Sequence, residues 1–490
     1  MAGPIIPACM STQHPDNVTP PFFAESLELG GEDEVQEAYY AFSHLGCEEQ
    51  MWDCEGKEVD SYVVKKLLTK YESFFQNHRL GESHFLTLRV PNPTVERAEA
   101  KVLLETLESI PRSFDAARLF YGNDDAPPIF EVILPMTAST ASIDRIYRYY
   151  ADFIIDRQTK PFKAGDITIK EWIGEFKPET INVIPLFEDR EHMLNAHEIT
   201  AEYLSDKKKV SHQRVFLARS DPAMNYGLLG AVLFNKIALK RLWDLSRESG
   251  VDIYPIIGVG SAPFRGNLTP HTVRRVLAEY PSARTFTIQS SFKYDHPPGE
   301  VQAAVAAIRA HKPSIPPLID EEQSLEIIDR YSKRYREQIT ALAPVINDVA
   351  RFVPNRRKRK LHIGLFGYAR EMEGITLPRA IKFTAALYSI GLPPELLGLD
   401  ALTDDDIAAI KTFYRSFTHD ISDAMRYANL DSSFAPKGVF EAAGRIASGG
   451  NPDADNAELT ARIERAVIER KTESTAELVL QAAHRRRFLG

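Results

Sequence analysis

The chain has 490 residues, 44% of them hydrophobic and 26% charged, with 59 Lys and Arg against 68 Asp and Glu and a formal net charge of −9. That is ordinary globular composition, enough for two or three domains or one large barrel with additions, and its acidity argues against non-specific nucleic-acid binding, which needs a basic face. Cys9, Cys47 and Cys54 are the three cysteines and none has CxxC spacing, so a disulfide framework and a Cys-based metal site are not indicated and a cytoplasmic setting fits; MAGPIIPACM is no signal peptide, and no apolar run approaches the ~20 residues of a membrane span.

In chain order, residues 10–17 read MSTQHPDN, with one His between Gln and Pro ahead of the first obvious strand or helix. Short apolar runs follow at Glu49–Asp53, His84–Val90, Ile129–Pro135, Ile181–Phe187, Arg214–Ala218, Asp252–Val259, Thr285–Gln289 and Leu361–Phe366. Between them, stretches such as Thr94–Leu107 and Leu228–Ser246 repeat apolar residues at three and four, the period of an amphipathic helix. Alternating strands and helices predict a parallel sheet. Eight strands apolar on both faces predict a (β/α)8 TIM-type barrel, which takes about 250 residues plus insertions. A doubly wound open sheet is the competitor.

The barrel core is expected at about 45–378, with a helical insertion before the eighth strand. Residues 1–44 are expected to contribute to the active site. Residues 379–490 read as helical, through Arg379–Ile390, Asp404–Phe417, Ala457–Arg470 and Ser474–Arg487, so 1–490 forms a single catalytic domain. The run Arg356-Arg357-Lys358-Arg359-Lys360 reads as a solvated connection, with a nucleic-acid patch as the weaker reading. The tail HRRRFLG reads as a frayed basic helix end, favourable with the helix dipole, with docking near the active site as the alternative.

Active sites of such barrels sit at the C-terminal strand ends. The predicted first strand runs into Asp53, Glu55 and Lys57, and the second carries Arg89. The fourth runs into Glu188-Asp189-Arg190, and the fifth into Arg219-Ser220-Asp221. The sixth leads to Arg265, the seventh to Lys293, and the eighth to Arg370 and Arg379. Glu188 and Asp221 are suited to share a hard cation such as Mg2+, with water and substrate oxygens filling the remaining positions. The arginines are suited to bidentate capture of carboxylate and phosphate. Each residue also has an ordinary reading: Asp221 before Pro222 suits a helix N-cap, and any single arginine suits a surface ion pair. Together they describe a site for a small, multiply anionic substrate.

MSTQHPDN, EQMWDCEGKEVD, PLFED, ARSDPAMNYG, GVGSAPFRGNL and LPRAI together resemble archaeal-type phosphoenolpyruvate carboxylase, from about Ile6 to the C-terminus. The resemblance implies Mg2+-dependent (Mn2+ as the alternative), irreversible carboxylation of phosphoenolpyruvate by bicarbonate. Oxaloacetate and phosphate form through carboxyphosphate and the enolate of pyruvate, and the product supplies C4 acids to the tricarboxylic acid cycle. Glu188 matches the glutamate of a PLFET-type motif and Asp221 the aspartate of an SDS-containing motif, so both are expected as metal ligands. His14 resembles the histidine of TAHPT, whose role would be to assist carboxyphosphate breakdown. Imidazole suits that task because it transfers protons near neutral pH. Arg89, Arg265, Arg370 and Arg379 are expected to bind substrate, with Arg265 also catalytic. GSAPFRGN departs from the GRGG loop of longer relatives, which leaves the loop's detailed role open. Lys293 resembles a lysine with a supporting role. A homotetramer inhibited by aspartate or malate is implied as well, without nucleic-acid or membrane partners. The competing readings are another Mg2+-dependent barrel lyase or aldolase acting on an enolpyruvyl or oxo-acid substrate, and an inactive anion-sensing barrel. The presence of both Glu188 and Asp221 argues against the latter.

Overall fold

A computed structural model describes residues 5–54, 60–122, 126–207, 210–358, 370–372, 375–449 and 452–490. Eight parallel strands close into a barrel: β1 Cys9–Ser11, β2 Glu49–Asp53, β3 Phe85–Arg89, β4 Glu131–Leu134, β5 Asn182–Phe187, β6 His212–Ala218, β7 Asp252–Gly258 and β8 Thr285–Ile288. The (β/α)8 class is therefore as expected from the sequence, and seven of the eight expected strands fall on β2–β8. The remaining one does not. The barrel closes through β1, which pairs Met10 with Glu49 of β2 and with Thr287 of β8. The barrel strands thus run from Cys9 to Ile288, not from about 45 to 378. The segment Leu361–Phe366, expected as the eighth strand, lies outside the described residues. So do Glu55 and Lys57.

Side chains alternate in and out along a strand, and this period stacks the barrel interior into layers. The lowest is polar. Arg214, fully buried, donates from Nη1 to Glu49 Oε1 (2.7 Å) and Glu131 Oε2 (2.9 Å), and from Nη2 to Glu49 Oε2 (2.7 Å) and Thr285 Oγ1 (3.2 Å). Two residues further along the strands come Met51, Ile133 and Phe216, which join Met10, Ile184, Leu186, Ala218 and Ile256 in an apolar layer. Two residues further again come Asp53, Arg89 and Glu188, at the strand ends.

Removing one partner of a buried ion pair leaves an uncompensated charge. Arg214→Met would strand two carboxylates inside the barrel. The expected result is destabilisation by about 3–5 kcal/mol, read as a lowered urea midpoint. An unchanged midpoint would show that the network is dispensable.

Helices Pro298–Ala310 and Glu321–Ala350 follow the last barrel strand. A hairpin of β9 Arg370–Met372 and β10 Ile375–Leu377 comes next. Helices Ala380–Ser389, Asp404–Phe413, Phe417–Met425, Val439–Ile446, Ala454–Ile468 and Thr472–Arg486 complete the chain. They share one apolar core with the barrel helix Ser220–Ser249. That helix breaks at Gly227 (φ 77°), where a Cβ would lie 2.6 Å from Tyr331 of helix Glu321–Ala350. Only glycine combines this backbone with that approach. Among the described residues no helix is long and apolar enough to cross a membrane.

Candidate active site

At the C-terminal ends of the strands lies a cavity of about 600 Å³. Its lining includes His14, Arg89, Glu188, Asp221, Arg265 and Arg379, six of the seven residues expected from the sequence. The seventh, Arg370, opens β9, where its backbone pairs with Leu377 at the cavity edge. Seven Arg and Lys side chains line the cavity against three carboxylates. The protein is acidic overall, yet this cavity is cationic, the balance that concentrates an anionic ligand.

His14 reaches the cavity because β1 is a barrel strand. Three residues after Ser11, the chain turns at the strand end: the His14 carbonyl accepts from Asp16 N (3.1 Å) and Ser290 N (3.2 Å). His14 Nδ1 lies 2.9 Å from Thr12 Oγ1, whose hydroxyl is 3.4 Å from the Ile288 carbonyl. With that hydroxyl donating to Ile288, its oxygen accepts Nδ1–H, which assigns the lone pair to Nε2. Lys293, fully buried, donates to Ser11 Oγ (3.1 Å), Thr12 O (2.9 Å) and Glu37 Oε1 (2.8 Å). It therefore fixes the end of β1 rather than lining the cavity. Burial alone would raise the pKa of Glu37, but Arg357 and Lys293 outweigh it and hold the carboxyl down at about 2.

The strand ends on either side are tied to this segment. Gln13 Oε1 accepts from Asp53 N (2.9 Å), and Asp53 Oδ1 accepts from Arg89 Nη1 (3.1 Å). Arg89 is thus aimed by the end of β2. Glu188 follows β5 directly and is 8% exposed. The helix cap there is its neighbour Asp189, which accepts from His192 N (3.1 Å). Asp221 is not a cap either: the N-cap of its helix is Arg219, and Asp221 sits in the first turn, where the helix dipole favours a carboxylate. The N-cap position expected for Asp221 is thus held by Arg219.

Arg265 is 1% exposed and donates from all three of its nitrogens. It donates from Nε to Ser220 Oγ (3.0 Å), from Nη1 to the Gly490 carbonyl (2.6 Å) and Asp16 Oδ2 (3.4 Å), and from Nη2 to Gln289 Oε1. Burial pushes the pKa of Asp16 up, opposed by Arg265 and by the Ser291 and Ser261 N–H groups. The tail that brings Gly490 here is anchored, not frayed. Leu489 N donates to the Asp16 carbonyl (2.8 Å), and Ser291 Oγ to the Arg487 carbonyl (2.7 Å). A Cβ on Gly490 would lie 2.2 Å from the Ile381 carbonyl and 2.4 Å from Ala385 N.

The basic run is not a solvated connection at its first two residues. Arg356 and Arg357 are buried and line the cavity. Arg356 Nη2 donates to the Val18 carbonyl (2.7 Å), and Arg357 Nη2 to both oxygens of Glu37 (2.6 and 2.7 Å). Lys358 is exposed, and Arg359 and Lys360 lie outside the described residues. Arg219 follows the end of β6 and is not among the site residues expected from the sequence. It lines the cavity 1% exposed, with Nε and Nη1 lacking hydrogen-bond partners among the described residues. Its signal was the position alone, one residue past β6.

A sequence profile described as phosphoenolpyruvate carboxylase matches residues 6–490. The phosphoenolpyruvate carboxylase of Methanothermobacter thermautotrophicus is 60% identical over 487 residues, covering 99% of this chain and 100% of that one. That of Methanospirillum hungatei is 58% identical over 491 residues, covering 99% and 100%. That of Pyrococcus abyssi is 54% identical over 426 residues, covering 86% and 88%.

Proposed function

The chain belongs to the phosphoenolpyruvate carboxylase family and is a carboxy-lyase of that family, and from this premise we propose that the cationic cavity binds phosphoenolpyruvate and bicarbonate and that His14, Glu188, Asp221 and the surrounding arginines perform the reaction. The observation that carries the reading is the convergence of His14, Glu188, Asp221 and Arg265 on one cavity from four different strand ends.

Glu188 and Asp221 supply two carboxylate oxygen donors, the set that suits Mg2+ or Mn2+. A bound divalent ion would supply Lewis-acid stabilisation of negative charge on the phosphate and enolate oxygens. Arg89 and Arg379 hold substrate phosphate and carboxylate as bidentate donors. Arg219 offers two buried donor nitrogens, Nε and Nη1, that have no partner among the described residues and that an anionic ligand would satisfy. A bicarbonate oxygen attacks phosphorus, and the bond from phosphorus to the enol oxygen breaks, giving carboxyphosphate and the pyruvate enolate. His14 Nε2 takes the carboxyl proton of carboxyphosphate as its C–O bond breaks, releasing CO2 and phosphate. The enolate methylene carbon then attacks CO2 to give oxaloacetate. Arg265, held from four sides, keeps a fixed positive charge beside Asp221 and the cavity.

Purified protein with Mg2+, phosphoenolpyruvate and bicarbonate should form oxaloacetate, detected by reduction with malate dehydrogenase and NADH. A product that forms without bicarbonate, or no product, would refute the assignment. Gly490→Ala should also register. Its methyl group has no room, so the tail and Arg265 must shift together. Turnover is expected to fall at least about tenfold, on the scale of ångström-level misplacement, with far-ultraviolet circular dichroism unchanged. Full turnover in the variant would separate the tail from catalysis.

A further inference from the structure

Outside the residues that line the cavity, three side chains converge from a loop and from the start of a helix. His271 lies between β7 and helix Val273–Glu279, while His296 and Glu300 flank the start of helix Pro298–Ala310. Their ligand atoms all lie within 4.8 Å of one another. His271 Nε2 is 3.5 Å from Glu300 Oε2, and the rings of His271 and His296 meet edge to face with centroids 5.6 Å apart. His296 is 8% exposed, and neither of its ring nitrogens has a hydrogen-bond partner among the described residues. Buried polar atoms without partners are rare and need an occupant or a reason. Nothing in the carboxylation chemistry uses this ring.

We propose that His271, His296 and Glu300 form a second metal site, distinct from the Glu188 and Asp221 pair and selective for a transition ion of the Zn2+ class. Two imidazoles and a carboxylate are a zinc donor set, with a fourth position left for water. Imidazole suits Zn2+, whereas Mg2+ prefers oxygen ligands. An ion there satisfies a nitrogen of His296 that the described residues leave without a partner. It also ties two segments that build the cavity. The loop bearing His271 follows Arg265 by six residues, and the segment bearing His296 carries Gln289, Ser291 and Asp295. Arg487 is a nearby cation that opposes ion binding. Its backbone is held at both groups, the N–H donating to the His484 carbonyl (3.3 Å) and the carbonyl accepting from Ser291 Oγ (2.7 Å), while its side chain is exposed.

The test uses the full chain, stripped with a chelator and kept in excess Mg2+ so that the carboxylate pair stays filled. Co2+ is added as a spectroscopic probe, and Zn2+ is then titrated calorimetrically. The expected result is one equivalent of tightly bound Co2+ with the intense visible bands of a four-coordinate, nitrogen-ligated ion, displaced by one equivalent of Zn2+. His296→Asn and Glu300→Gln should each weaken binding at least about tenfold, because even indirect metal partners cost that much. Glu188→Gln should leave the Co2+ spectrum unchanged. Because His271 and Glu300 are exposed, His271→Ala and Glu300→Gln retain the fold even where a core substitution at His296 does not. A weak six-coordinate spectrum, a spectrum lost with Glu188→Gln, or full binding by both His271→Ala and Glu300→Gln would overturn the site. None of these readouts measures carboxylation, so the result stands or falls independently of the proposed reaction.

Discussion

His14→Asn should abolish oxaloacetate formation, lowering turnover by about 10²–10⁴-fold, the range contributed by one positioned acid–base group. Asn keeps a side chain of similar reach and can still hydrogen-bond Thr12, so the turn at the end of β1 should survive. What it lacks is a basic nitrogen to take the carboxyl proton of carboxyphosphate. Binding should be spared, since the anion-holding arginines and the carboxylate pair are untouched. The diagnostic pattern is therefore a collapse of turnover with near-normal phosphoenolpyruvate binding by calorimetry. A variant that carboxylates normally would remove the proton-handling role of His14. A variant that no longer binds substrate would make His14 a binding residue instead.

The second large effect is at the carboxylates. Glu188→Gln should raise the Mg2+ concentration for half-maximal activity by at least about tenfold, by analogy with the 10–100-fold cost of disturbing a metal's supporting groups. The carboxamide retains one oxygen and nearly the same volume, but loses the negative charge that attracts a hard cation. Asp221→Asn should move the metal requirement in the same direction. It has a further cost, because Asp221 is one of the charges that face buried Arg265. Unchanged metal dependence in both variants would refute the pair as ligands. A metal titration at fixed phosphoenolpyruvate and bicarbonate measures each one.

Most of the barrel was legible because its strands are four to seven residues long and apolar on both faces, the pattern of a covered parallel sheet. β1 was not. It has three residues, Cys9, Met10 and Ser11, none of them β-branched, and its pairing comes from its neighbours β2 and β8 rather than from its own propensity. Missing it shifted the count of strands and filled the eighth place with Leu361–Phe366. The residues of the cavity were nevertheless found, since strand ends mark the site whichever strand is counted first. His14 was connected to them through motif resemblance, and the structure supplies the plainer reason: it too follows a strand end. Burial was the quantity the sequence could not convey. Arg356 and Arg357 looked like solvated charge because their partners, the Val18 carbonyl and Glu37, lie near the other end of the chain. The tail looked frayed for the same reason, its partners being Asp16, Arg265 and Ser291.

The meeting of Leu489 and Gly490 with Asp16 and Arg265 also orders events during synthesis. Chains fold as they emerge, earlier segments first, and β1 emerges almost immediately. Its partner β8 follows only much later, so the barrel stays open until most of the chain has left the ribosome. Even then Arg265 lacks the carbonyl of Gly490, which comes still later. A ribosome-stalled or prematurely terminated product would hold a closed barrel around an unfinished cavity. Catalytic competence then depends on the late arrival of Leu489 and Gly490 against Asp16 and Arg265, long after the barrel itself can close.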